Sequence, residues 1–195
     1  MAKGYFKRTA WNENDEVYTP QILAEAILPF IPKDKVIWCP FDTKNSEFVI
    51  AFKNNGNKVI YTHIIYGQDF FNYEPNEPYD YIISNPPFSK KLEVFERLFD
   101  LGKPFAMLMN LGILHYQVVG DFYLSKNSDL QLLIPNKKVS FDLSTSMFNT
   151  SYFCKDILPK GIVFVKLEHN NSGKNNKLKK KSRMYKDVML EEENV

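Results

Sequence analysis

The sequence predicts an α/β domain built on a mainly parallel sheet, with helices on both faces and an antiparallel strand pair at its C-terminal end. Three observations point there. Short apolar runs alternate with amphipathic stretches between residues 19 and 124, and strands separated by helices join into parallel sheets through right-handed crossovers. Glycines follow two of the amphipathic stretches, at Gly56 and Gly102, where helices characteristically stop. Beyond residue 130 the rhythm changes to two β-rich segments.

Each element follows from its own residues. In "TPQILAEAILPFI", Ile22, Leu23, Ala26, Ile27 and Phe30 recur at three- and four-residue spacings, so a helix is expected over residues 19–31 with Thr19 as its N-cap and Pro20 in its first turn. "KVIWC" reads as a short buried strand, "SEFVIAFKNNG" as a helix capped by Ser46 and stopped by Gly56, and "NKVIYTHI" as a second strand. "YDYIIS", "SKKLEVFERLFDLG" and "KPFAMLMN" repeat the strand, helix, strand order, and "GILHYQVVGDFYL" offers one more helix. The closing strands are "LQLLIPNKKVSF" and "GIVFVKLE", joined by the irregular residues 142–160.

At 195 residues the chain fits one domain. No repeat and no Gly/Ser linker divides it, so the expected organisation is an N-terminal arm at 1–15, a single domain at 16–168 and a tail at 169–195. Hydrophobic residues at 44% and aromatics at 15% support a substantial core. No apolar run approaches the ~20 residues of a membrane helix, and the N-terminus lacks the apolar stretch of a secretory signal; a cytoplasmic protein with no membrane partner is expected. Cys39 and Cys154 lack metal-ligand spacing and read as reduced, buried thiols, with no metal site. The net charge of +2 conceals an uneven distribution: six of the ten residues at 174–183 are basic, which suits either a solvated surface or contact with nucleic-acid phosphates.

The residues that carry chemistry are those of "YDYIISNPPFSKK" at 79–91. An apolar strand runs into Asn85, Pro86, Pro87 and Phe88, and in a parallel sheet ligands gather at such strand ends. Neither proline has an amide hydrogen and both have restricted φ, so the turn is rigid and its carbonyls need not be matched to local donors. The Asn85 side chain and the carbonyls of Ser84, Asn85 and Pro86 form a cluster of acceptors containing no acid. Neutral acceptors suit an amine that gains positive charge in the transition state, and Phe88 offers a face for stacking a planar base.

This stretch resembles the [DNS]-P-P-[YFW] motif of S-adenosylmethionine-dependent amino-methyltransferases, especially the adenine-N6 enzymes that act on DNA, in a small phage- or prophage-like form. "EVYTPQILAEAI" resembles the Thr-Pro segment that precedes the first strand in one arrangement of that family. "VIWCPFD" resembles the end of its first strand, and "YGQDFF" the segment whose acid lies near the cofactor adenine. The four stand in the family's order over residues 16–88. The resemblance implies a Rossmann-like, seven-stranded methyltransferase fold and S-adenosyl-L-methionine as cofactor. It implies Asn85, Pro86, Pro87 and Phe88 as the catalytic turn. Thr19, Pro20, Cys39, Pro40, Asp42, Asp69 and Phe70 would line the cofactor site, with Asp69 accepting from the adenine. Phe141 or Phe153 would stack on a flipped base, with Lys90 also on the substrate side.

Two features set this chain apart. The loop after the first strand, "CPFDTKNSEF", has no glycine where the family usually has a D-P-F-x-G-x-G pattern; Asp42 as a polar cofactor contact and Ser46 as a helix cap would compensate in part. The second strand ends near His63 rather than at an acid, and His63 receives no role. There is also no separate base-reading region, so specific contacts to DNA would come from residues 142–160 or from a separate target-recognition protein. Besides DNA adenine methylation, three readings stay open: a degenerate methyltransferase fold that binds nucleic acid, methylation of RNA adenine, and methylation of a protein glutamine amide. Nucleotidyl transfer is disfavoured, because neither a Gly-rich phosphate loop nor a pair of metal-binding carboxylates is legible.

Overall fold

The computed structural model describes residues 19–141 and 149–167, without the side chain of Phe88. The expected N-terminal arm and the tail with its basic run lie outside the described residues, as do 142–148 of the expected base-contacting segment. Seven strands form one sheet: β1 (Val36–Cys39), β2 (Lys58–Tyr61), β3 (Tyr81–Ser84), β4 (Phe105–Asn110), β5 (Gln131–Pro135), β6 (Thr150–Lys155) and β7 (Ile162–Val165). Their order is β2-β1-β3-β4-β6-β5-β7. Every pairing is parallel except the two made by β6, which runs antiparallel to β4 and to β5.

Alternation along the strands sorts the core into two layers. On one face Ile37, Cys39, Ile83, Ala106, Leu108, Tyr152 and Cys154 pack under α1 (Gln21–Glu25) and α2 (Glu47–Asn55). On the other, Trp38, Ile82, Phe105, Met107, Met109 and Phe153 pack under α3 (Lys91–Leu101) and α4 (Gln117–Lys126). Both faces are covered, so the central strands read as continuous apolar runs. Gly56 (φ 99°) and Gly102 (φ 65°) end α2 and α3 in the left-handed region, where a Cβ would be strained.

Four local expectations change. The helix over 19–31 is broken: α1 stops at Glu25, and a 3-10 turn takes up Leu28–Phe30. Pro29 has no N–H to offer the Glu25 carbonyl and its ring would crowd it. Pro20, not Thr19, occupies the N-cap position, its carbonyl accepting from Leu23 N at 2.9 Å and Ala24 N at 3.2 Å. The expected helix over 112–124 divides into a 3-10 turn at Leu111–His115 and α4, which runs on to Lys126. Residues 142–160, read as irregular, contain β6. That strand supplies the antiparallel pairing at the C-terminal end, while the two segments read as the closing strands, β5 and β7, run parallel to each other.

Candidate functional site at the reversal of strand order

From β1 the chain crosses to β2 on one side and to β3 on the other. The crevice between the carboxyl ends of β1 and β3 is therefore the topological switch point, where open α/β sheets bind ligands. Around it stand the loop after β1, the turn after β3 and the segment that follows β2.

The turn after β3 is set by its prolines. Pairing of β3 with β4 ends at Ser84, opposite Met107, and Pro86 cannot extend the ladder because it lacks a donor. Pro86 is buried, Asn85 and Pro87 are half-buried, and the Asn85 side-chain oxygen is shielded from solvent. Pro87 (φ −60°, ψ 135°) leads into a 3-10 turn at Phe88–Lys90, from which α3 starts.

The loop after β1 is fastened on both sides. Asp42 N donates to the Thr62 carbonyl at 3.1 Å, and Thr62 N donates to the Cys39 carbonyl at 3.1 Å. Trp38 Nε1 donates to Thr62 Oγ1 at 2.9 Å. Across the crevice, Ser84 Oγ donates to Asp42 Oδ2 in a short, buried bond. Ser46 stands at the head of α2, but its hydroxyl accepts from Thr43 N at 2.9 Å instead of capping the helix. No residue of this loop has positive φ, so its path needs no glycine.

The segment after β2 is built on two side-chain caps. His63 Nδ1 accepts from Ile65 N at 3.2 Å and so starts the 3-10 turn at Ile64–Tyr66. Asp69 Oδ1 accepts from Phe71 N at 3.2 Å and Oδ2 from Asn72 Nδ2 at 3.3 Å, an Asx turn that leaves the carboxylate half-exposed. Phe70 is buried beneath it, with ring centres 4.9 Å from Phe41 and 5.5 Å from Trp38. Lys90 Nζ lies 4.9 Å from the centre of the Phe71 ring, which joins the Asp69 turn to the Asn85 turn.

The structure thus places Cys39, Pro40, Asp42, Asn85, Pro86, Pro87 and Lys90 at or just beyond the carboxyl ends of β1 and β3, and Asp69 and Phe70 in the segment that follows β2. Cys39 is buried at the end of β1, and burial, reinforced by the Asp42 charge, pushes its thiol well above the ordinary range; it is not a nucleophile at neutral pH. Thr19 and Pro20 are half-buried at the head of α1, a helix tied to β6 by Tyr152 Oη donating to the Leu23 carbonyl at 2.5 Å.

Phe141 and Phe153 are not brought together. They lie in core layers on opposite faces of the sheet. Phe153 is fully buried, its ring centre 5.9 Å from that of Phe95. The hydroxyls of Ser84 and Thr62 and the His63 ring are structural partners here that the motif pattern does not reveal. The available signal was a hydroxyl ending the apolar run "YIIS".

No family model and no curated protein matches the sequence. Solved structures do. The methyltransferase subunit of a type I restriction-modification system from Streptococcus thermophilus aligns with a TM-score of 0.54 at 13% identity, over 89% of this chain and 53% of that one. The EcoKI M protein, from a type I restriction enzyme, aligns with a TM-score of 0.50 at 13% identity, over 72% of this chain and 44% of that one. The chain spans about half the length of these proteins. At such identities the likeness concerns the fold alone, a Rossmann-like mixed sheet shared with these methyltransferase proteins.

Proposed function

We propose that the protein is an S-adenosylmethionine-dependent methyltransferase that modifies the exocyclic amine of adenine in DNA. The observation that carries the reading is the position of the Asn85-Pro86-Pro87 turn, at the carboxyl end of β3 and beside the end of β1 at the switch point. The residues present fit the cofactor. The Asx turn leaves the Asp69 carboxylate half-exposed for a hydrogen bond from an adenine, and the β1 loop turns without glycine. Cys39, Pro40, Asp42 and Phe70 would shape the crevice, with Thr19 and Pro20 at its α1 side.

When bound, S-adenosylmethionine supplies an electrophilic methyl group on a sulfonium. The chain's own part is orientation and electrostatics. Asn85 Oδ1 and the Pro86 carbonyl would accept the two hydrogens of the amine and direct its nitrogen lone pair toward the methyl. Transfer of the methyl, with the methyl–sulfur bond breaking and the sulfur leaving as a neutral thioether, would make the amine more positive and strengthen those bonds, and the extra proton would pass to solvent water. Phe88 would stack on the extruded base, and Lys90 would meet a phosphate. The likeness to a subunit of a type I system supports a separate partner for target recognition. The basic run at 174–183 would add a sequence-independent contact with DNA.

The test is transfer of labelled methyl to adenine-containing DNA by the purified chain. Asn85→Ala is expected to lower transfer by ~10²-fold or more while leaving cofactor affinity unchanged. Asp69→Ala is expected to weaken cofactor binding measured by calorimetry. Label appearing only in RNA or in a protein glutamine would replace the substrate. Absence of cofactor binding would leave a methyltransferase fold that only binds nucleic acid.

A further inference from the structure

Among the described residues, Asp42 is the only acidic side chain in the buried set, at 6% exposure, and its hydrogen-bond donor Ser84 is fully buried. The bond joins residues 42 positions apart and spans the two strands that flank the crevice. Asp42 is itself anchored, because its backbone N is held by the Thr62 carbonyl. Ser84 immediately precedes Asn85. The acceptor residue is therefore clamped on both sides: the φ restriction of Pro86 and Pro87 fixes the chain after it, and the bond to Asp42 fixes the chain before it.

A buried carboxylate carries a large desolvation cost, yet this one stands beside a turn whose own acceptors are all neutral. We propose that Asp42 is a positioning residue for the acceptor turn: through Ser84 it orients Asn85, and it places a negative charge behind the site where the amine becomes positive. The proposal deepens the methyltransferase reading and rests on it for its kinetic arm. It assigns Asp42 to the amine side of the crevice, whereas the sequence suggested a contact with the cofactor.

Asp42→Asn keeps the shape of the side chain and removes its charge; Ser84→Ala removes the hydroxyl. Three quantities are compared in wild type, both variants and the double variant: single-turnover transfer at saturating S-adenosylmethionine, its dissociation constant, and the side-chain amide resonance of Asn85, identified by its loss in Asn85→Ala. Each single variant is expected to slow transfer by about tenfold or more, the scale of a lost charge-assisted hydrogen bond. Cofactor affinity should be retained, and the double variant should be little slower than the slower single one. Both variants should move the Asn85 resonance in the same direction.

Weakened cofactor binding with an unchanged saturated rate in Asp42→Asn would overturn the proposal and make Asp42 a cofactor contact. An unmoved Asn85 resonance in folded variants would overturn it as well. If the wild-type protein transfers no methyl, the function fails and the resonance alone decides the positioning role. Ser84→Ala, the smaller change, carries the same test if Asp42→Asn does not fold.

Discussion

Two regions use polar side chains to hold strands together, and they do so to different ends. Around the β1/β3 switch point the bonds run between side chains: Ser84 at the end of β3 donates to Asp42 in the loop after β1, and Trp38 of β1 donates to Thr62 just beyond β2. At the β5–β7 flank the bonds run from side chains to backbone. Gln131 Oε1 accepts from Ile157 N and Leu158 N at 3.0 Å, and its Nε2 donates to the Leu158 carbonyl at 2.7 Å. Asn136 Oδ1 accepts from Leu167 N at 2.9 Å. These clamps complete turns whose backbone groups would otherwise be unsatisfied on leaving the sheet. The first region uses polar groups to fix the strand ends around the candidate site, and the second uses them to close turns at the sheet edge.

Variants on the flank should change stability and leave methyl transfer alone, and a flank variant that altered transfer would join the two regions. The largest expected effect is on folding. Phe153→Ala empties a fully buried position against Phe95 and should cost about 3–5 kcal/mol in denaturant melts. In the protein that remains folded, methyl transfer per molecule should be unchanged; selective loss of base capture would restore Phe153 to the substrate side.

Gln131→Ala removes three hydrogen bonds from the β6–β7 turn. It should lower stability by about 1–3 kcal/mol without altering cofactor affinity. A change in that affinity would mean that the flank and the crevice are coupled. The smallest effect belongs to Phe164→Ser on the edge strand β7. Phe164 is 72% exposed, so its stability change should stay within about 0.5 kcal/mol. A larger loss would show that its exposed ring is covered in solution.

Among the described residues no helix is long and apolar enough to cross a membrane, in line with the absence of such a run in the sequence. Cys39 and Cys154 are both free and buried. Burial pushes both thiols upward, so neither becomes a thiolate at neutral pH. The placement of the proline turn at a strand end and of Cys39 at the end of β1 was legible because each lies within a few consecutive residues, whereas the Asx turn at Asp69 was seen only in the structure. The bond between Asp42 and Ser84 was not legible, because no local pattern reports which strand ends will meet.

The features already legible in the amino-acid order arise from interactions between near neighbours. Apolar runs set the central strands, amphipathic spacing with Gly56 and Gly102 set α2 and α3, and the prolines after Asn85 set a rigid turn. The break in the first helix at Pro29 is equally local, since the proline clashes with the residue four positions earlier, yet the apolar spacing suggested an unbroken helix. The tertiary structure alone decided that β6 inserts between β4 and β5. With that it decided that Phe153 belongs to the core and that β5 and β7 run parallel. The physical reason is range: side-chain period and backbone restriction act over four residues, whereas strand order is chosen by which apolar faces can be covered together, and that depends on the whole chain at once.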